Sequence, residues 1–136
     1  MMAFAAGALA VPVFHEGLLL LFYMCRMVPS APFSFAPTRP FGVPELISIS
    51  FWGGVWGVIF GLTLPRWLSG AAYWIAAIVA GGVALTLVFT FVVWPLKFGD
   101  LPPSMLELFV VGFILNGAWG LGWALFLAWF ERLRAG

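Results

Sequence analysis

Residues 46–64 read LISISFWGGVWGVIFGLTL, with no ionisable side chain among them. A helix needs about 20 such residues to cross a hydrocarbon core of about 30 Å, so this run is long enough to span a bilayer. Gly53, Gly57 and Gly61 recur every four residues and form one smooth stripe, with Trp52, Trp56 and Phe60 as a bulky stripe beside it. Small residues let helix backbones approach closely, which is the main source of association in lipid, where no hydrophobic force acts between helices. The segment reads as a transmembrane helix built for close packing.

Three further runs have the same character: 3–27, 71–94 and 105–130. Together they account for most of a 136-residue chain that is 64% hydrophobic and only 8% charged, with a mean hydropathy of +1.12. Soluble domains are about 45–50% apolar and about 25% charged, so these values set the chain in the membrane class. The expected fold is an all-α polytopic membrane protein, a bundle of four transmembrane helices forming a single domain over residues 1–136. The first run reads as a span and not as a cleaved signal peptide, because no Lys or Arg precedes it and Glu16 interrupts its apolar centre.

The fourth span repeats the design of the second. Gly112, Asn116, Gly120 and Ala124 make its small stripe beside Trp119 and Trp123, and the third span offers Ala72, Ala76, Ala80 and Ala84. Gly-Val-Trp-Gly at 54–57 and Gly-Ala-Trp-Gly at 117–120 recur at matching depth. Each follows a glutamate, Glu45 or Glu107, and a Phe-Gly pair, at 41–42 or 98–99. The pattern suggests two tandem helical hairpins related by an axis along the membrane normal. Trp67, Trp74, Trp94 and Trp129 lie near span ends, where indoles anchor at the headgroups. Trp52, Trp56, Trp119 and Trp123 lie deeper, where lipid, a neighbouring subunit or a flat ligand such as a quinone or pigment would meet them.

The loop 28–45 holds Pro29, Pro32, Pro37, Pro40 and Pro44, which remove five backbone donors and favour a stiff, extended cap. Phe33, Phe35 and Phe41 are interleaved with them and suit a membrane face or a partner. A net charge of +1 gives no electrostatic case for nucleic acid. Four spans put Arg66, Arg132 and Arg134 on the face of the termini and Arg26, Arg39 and Lys97 on the other, a tie that only the terminal amine tips toward cytoplasmic termini. A bacterial inner membrane is the expected location. The single cysteine, Cys25, excludes a disulfide within the chain and reads as a small apolar residue.

His15 and Glu16 lie almost at the centre of the first run, with no Lys or Arg inside any other span. An unpaired carboxylate in hydrocarbon is costly, so Glu16 is expected to be protonated, solvated, hydrogen-bonded or matched by a ligand. Adjacent helical residues point about 100° apart, so His15 and Glu16 are expected to face different neighbours. Asn116 lies at matching depth in the fourth span and Thr86 close to it in the third, so a cluster joining Glu16 or His15 to Asn116 is expected. Pro12 removes the helix bond to the Ala8 carbonyl and should bend the first span.

These features favour a non-enzymatic helix-packing subunit, either a homo-oligomer or an accessory part of a larger membrane complex, with the Pro-rich loop as a contact surface. No nucleophile or metal-ligand set accompanies His15 and Glu16. The alternatives are a proton- or cation-coupled small transporter or channel using Glu16, and haem, pigment or quinone binding through His15. Four spans, an acidic residue in the first and balanced charge are similar in outline to the small multidrug-resistance transporters. The local sequence around Glu16 and the long first loop depart from that family, so the likeness is one of physics and not of motif.

Overall fold

A computed structural model describes residues 1–64 and 68–136. It contains four helices long and apolar enough to cross a membrane: α1 Met2–Met24, α2 Glu45–Thr63, α3 Gly70–Phe98 and α4 Met105–Ala135. The chain is a small all-helical polytopic membrane protein. A two-residue antiparallel ladder, β1 Pro37–Thr38 with β2 Val43–Pro44, closes the loop between α1 and α2. Arg66 and Trp67 lie outside the described residues.

Helix ends differ from the hydropathy boundaries for local reasons. α1 stops at Met24 instead of Met27, because Arg26 takes a left-handed φ of 58°. The Arg26 N–H then donates to the Tyr23 carbonyl at 3.0 Å and the Met27 N–H to Phe22 at 2.9 Å, the paired bonds of a Schellman stop. α3 runs past Trp94 through Pro95, whose missing N–H follows directly on a π-turn at Phe89–Val93 where α-type bonding is already interrupted. It ends at Gly99, where φ is 87° and the N–H donates to the Pro95 carbonyl at 2.8 Å. α4 continues beyond Phe130 to Ala135 and carries Glu131, Arg132 and Arg134 on helix.

α1 packs between α2 and α4, and α3 packs on α4. Backbone touches backbone where the residues are smallest. A Cβ on Gly7 would run into the Gly53 carbonyl, and one on Gly57 into the Ala3 carbonyl. Between α3 and α4 a Cβ on Gly81 would meet the Asn116 carbonyl at 2.8 Å, and one on Gly120 would run into that of Ala77. Gly54 lies under Phe4 and Gly117 under Ile78 in the same two seams. Gly61 abuts Ala3, with 2.9 Å left for a Cβ, and Gly112 abuts Thr86 at the same separation.

Two expectations about faces are corrected. Trp119 and Trp123 are core residues, 1% and 0% exposed, and are closed off from lipid and from any flat ligand arriving from it. The glycines of α1 and α2 leave room that the two indoles fill, and Phe60 meets them edge to face at 5.5 and 5.6 Å. Trp52 is exposed and Trp56 half-buried. On α3 the buried face is Ala77, Gly81, Thr86 and Thr90, while Ala72 on the expected alanine stripe is exposed. A π-turn at Gly81–Leu85 inserts one residue, so a face continued at spacings of four, five and four replaces one spaced by four throughout.

Gly17 supplies an internal control, since a Cβ there meets nothing within 4 Å. Gly7→Ala and Gly120→Ala should each destabilise the bundle by about 1–3 kcal/mol through overpacking. Gly17→Ala should be neutral or slightly stabilising. Reversible unfolding in mixed micelles measures the difference.

Candidate intramembrane polar site

Lipid demands that each buried polar group find a partner within the protein. In α1 the chain first loses a donor at Pro12, and the backbone responds with a π-turn over Val11–His15, in which the Glu16 N–H bonds to the Val11 carbonyl. The turn spaces the inward face by five residues at that point, so the residue following Val11 on the buried side is Glu16. Glu16 is 4% exposed, whereas the His15 side chain keeps 23% of its surface.

The carboxylate has two partners. Glu16 Oε2 accepts a hydrogen bond from the Phe33 N–H at 2.6 Å, and Glu16 Oε1 lies 3.1 Å from His15 Nδ1. The expectation that the two adjacent side chains diverge is therefore corrected: at the end of a π-turn both reach one point. With Glu16 ionised, Nδ1 carries the proton and donates, leaving Nε2 as the free ring nitrogen. Helix geometry puts Glu16 about 12 Å from the end of α1 at Met24 and only about 4–5 Å from the helix midpoint at Val13, deep in the span.

The Pro-rich loop descends to that depth. Phe33 has a left-handed φ of 54°, a conformation that costs a non-glycine residue about 1–2 kcal/mol, and its amide points at the carboxylate. A hydrogen bond to a charged group contributes about 1.5–3 kcal/mol, enough to hold that geometry. The same loop caps α2: the Glu45 N–H donates to the Ala36 carbonyl at 3.0 Å and the Leu46 N–H to Ser34 at 2.9 Å. Thr38 Oγ1 donates to the Val43 carbonyl at 2.8 Å and closes the ladder. One loop thus ties the buried carboxylate of α1 to the first turn of α2. Phe35 and Phe41 project outward, Phe41 with 88% of its surface exposed.

Asn116 belongs elsewhere. Its Nδ2 donates to Thr86 Oγ1 at 2.9 Å across the α3–α4 seam, so the expected link from Asn116 to Glu16 or His15 is replaced by a separate pair. A second interhelical bond runs from Trp119 Nε1 to the Gly7 carbonyl at 2.9 Å. Among the described residues, the buried side-chain atoms without a partner are Thr90 Oγ1 and Trp123 Nε1. On the loop-side face Lys97 Nζ lies 3.8 Å from Glu45 Oε1, a half-exposed pair joining the start of α2 to the end of α3.

Sequence reasoning missed the Phe33 amide, although a signal existed. In a segment where prolines remove so many donors, each remaining N–H stands out as one that needs an acceptor, and Glu16 was an acceptor without a donor. The burial of Thr90 was also missed, although it stands four residues after Thr86. Among the described residues no group of three or more His, Cys, Asp or Glu side chains comes together. Comparison with protein-family models, curated proteins and solved structures gives no match.

Glu16→Ala removes the acceptor, whereas Glu16→Gln retains a carbonyl oxygen in its place. Amide exchange at Phe33 should accelerate about 10- to 100-fold in Glu16→Ala, the factor equivalent to the lost bond. The acceleration should be several-fold smaller in Glu16→Gln.

Proposed function

We propose that this protein is a non-enzymatic helix-packing subunit of a cytoplasmic membrane. In this reading it self-associates or attaches to a larger membrane complex, and the 28–45 loop is the contact surface. The observation that supports it most is the use of Glu16. Its carboxylate engages the loop amide of Phe33, and that bond fixes the loop while Phe35 and Phe41 remain free on its outside. The interhelical bonds, Asn116 to Thr86 and Trp119 to Gly7, likewise join elements of the bundle.

We further propose that the chain is a tandem pair of helical hairpins. Ala3, Phe4 and Gly7 meet Gly57, Gly54 and Gly53, and Ala77, Ile78 and Gly81 meet Gly120, Gly117 and Asn116 in the same order. One constant offset relates α1 to α3 and another relates α2 to α4, which supports duplication along an axis parallel to the membrane normal. The repeated Gly-x-Trp-Gly motifs fall within this register.

A second reading, proton- or cation-coupled transport, is favoured by one specific feature: an imidazole in contact with a buried carboxylate, with Nε2 free to exchange a proton. Reconstituted Glu16→Gln protein separates the two. The scaffold reading expects unchanged proton flux in liposomes and altered assembly, seen as a changed oligomer or complex mass after mild solubilisation. Loss of a pH-dependent flux with assembly intact would replace it with transport.

A further inference from the structure

We infer that the groove between the first turns of α1 and the last turns of α4 binds an anionic phospholipid. One acyl chain would lie along its floor, with the phosphate on the Arg134 guanidinium. The groove is open, offers about 600 Å³, and is walled by Met1, by Met2, Phe4 and Ala5 from α1 and by Phe130, Leu133 and Arg134 from α4. The walls are hydrocarbon or aromatic ring apart from the Arg134 guanidinium and the amino group of Met1.

Its position fits that division. The groove lies where α1 begins and α4 ends, at the membrane face of the termini, so its apolar walls lie toward acyl chains and Arg134 is level with headgroups. Arg134 has no carboxylate within ion-pair distance among the described residues. The pairs present are His15 with Glu16 and Lys97 with Glu45, and Glu131, one turn back on the same helix, forms none. A guanidinium offers planar, forked donors that match phosphate oxygens, which the point charge of the Met1 amino group at the groove's edge does not. Charge complementarity therefore favours a lipid of net negative charge over a zwitterionic one. This site is separate from the Glu16 loop clamp and does not rest on the scaffold reading.

The test is native mass spectrometry of the full chain in neutral detergent, titrated with phosphatidylglycerol or with phosphatidylcholine of the same acyl chains. The wild-type protein should hold phosphatidylglycerol with about five-fold preference, the factor for ~1 kcal/mol from one basic residue at an anionic surface. Arg134→Gln should cut the preference to about two-fold or less, leaving only what the Met1 amino group supplies, and Arg132→Gln, outside the groove walls, should leave it unchanged. Ala5→Trp, which fills the floor, should reduce binding of both lipids while Arg134 remains. Equal binding of the two lipids by wild type would overturn the inference. So would equal losses in the two arginine variants, which mark a diffuse basic surface, or an unchanged occupancy in Ala5→Trp. Circular dichroism of each variant checks that the helices persist, and one that unfolds is replaced by Arg134→Met or Ala5→Leu with the same expected directions.

Discussion

Close approach of helix backbones is the interaction on which the rest of this bundle depends. In lipid an exposed leucine is as well solvated as a buried one, so apolar content alone does not bring helices together. What does so here is the absence of side chain at Gly7, Gly57, Gly81 and Gly120, each set against a carbonyl of the facing helix or so near that a methyl group would strike it. Only at that separation can Trp119 reach from α4 to the Gly7 carbonyl of α1, and only then do Phe60, Trp119 and Trp123 fill the space on the far side of the seam. The indoles follow from the glycines.

A second dependence runs through the π-turns. Without the extra residue at Val11–His15, the inward position after Val11 would fall one residue earlier, and the carboxylate would turn toward hydrocarbon. With it, Glu16 is buried and requires a donor, and the donor is a loop amide from Phe33. The loop conformation, the capping of α2 by Ser34 and Ala36, and the outward aromatic pair are thus linked to a backbone irregularity on another element.

Four apolar spans and their glycine stripes are legible in the sequence because length, composition and period each carry a direct physical meaning. Which face looks inward is much less legible, since a helix in lipid is apolar all round and hydropathy has no contrast to offer. Trp119 and Trp123 were therefore as compatible with lipid as with a core. The π-turn at Gly81–Leu85 contains no proline to mark it and shifts the period by one residue, which hid the Ala77, Gly81, Thr86, Thr90 face behind a more regular alanine stripe. The end of α1 was misplaced because its left-handed stop is Arg26 and not a glycine. The partner of Glu16 lies on a separate loop, so no local spacing could identify it.

The proposed tandem register sets Glu16 against a residue of different chemistry. In the common register, the position that Glu16 holds in α1 is held in α3 by Thr90, which is equally buried and has a hydroxyl without a partner. The connection that follows α3 is the short stretch 99–104, whereas the one following α1 is long enough to fold back. The acidic residue and the long loop therefore behave as one inheritable unit. A lineage that shortened the first loop would strand a charge in lipid, and one that placed a carboxylate at residue 90 would need a new loop to receive it.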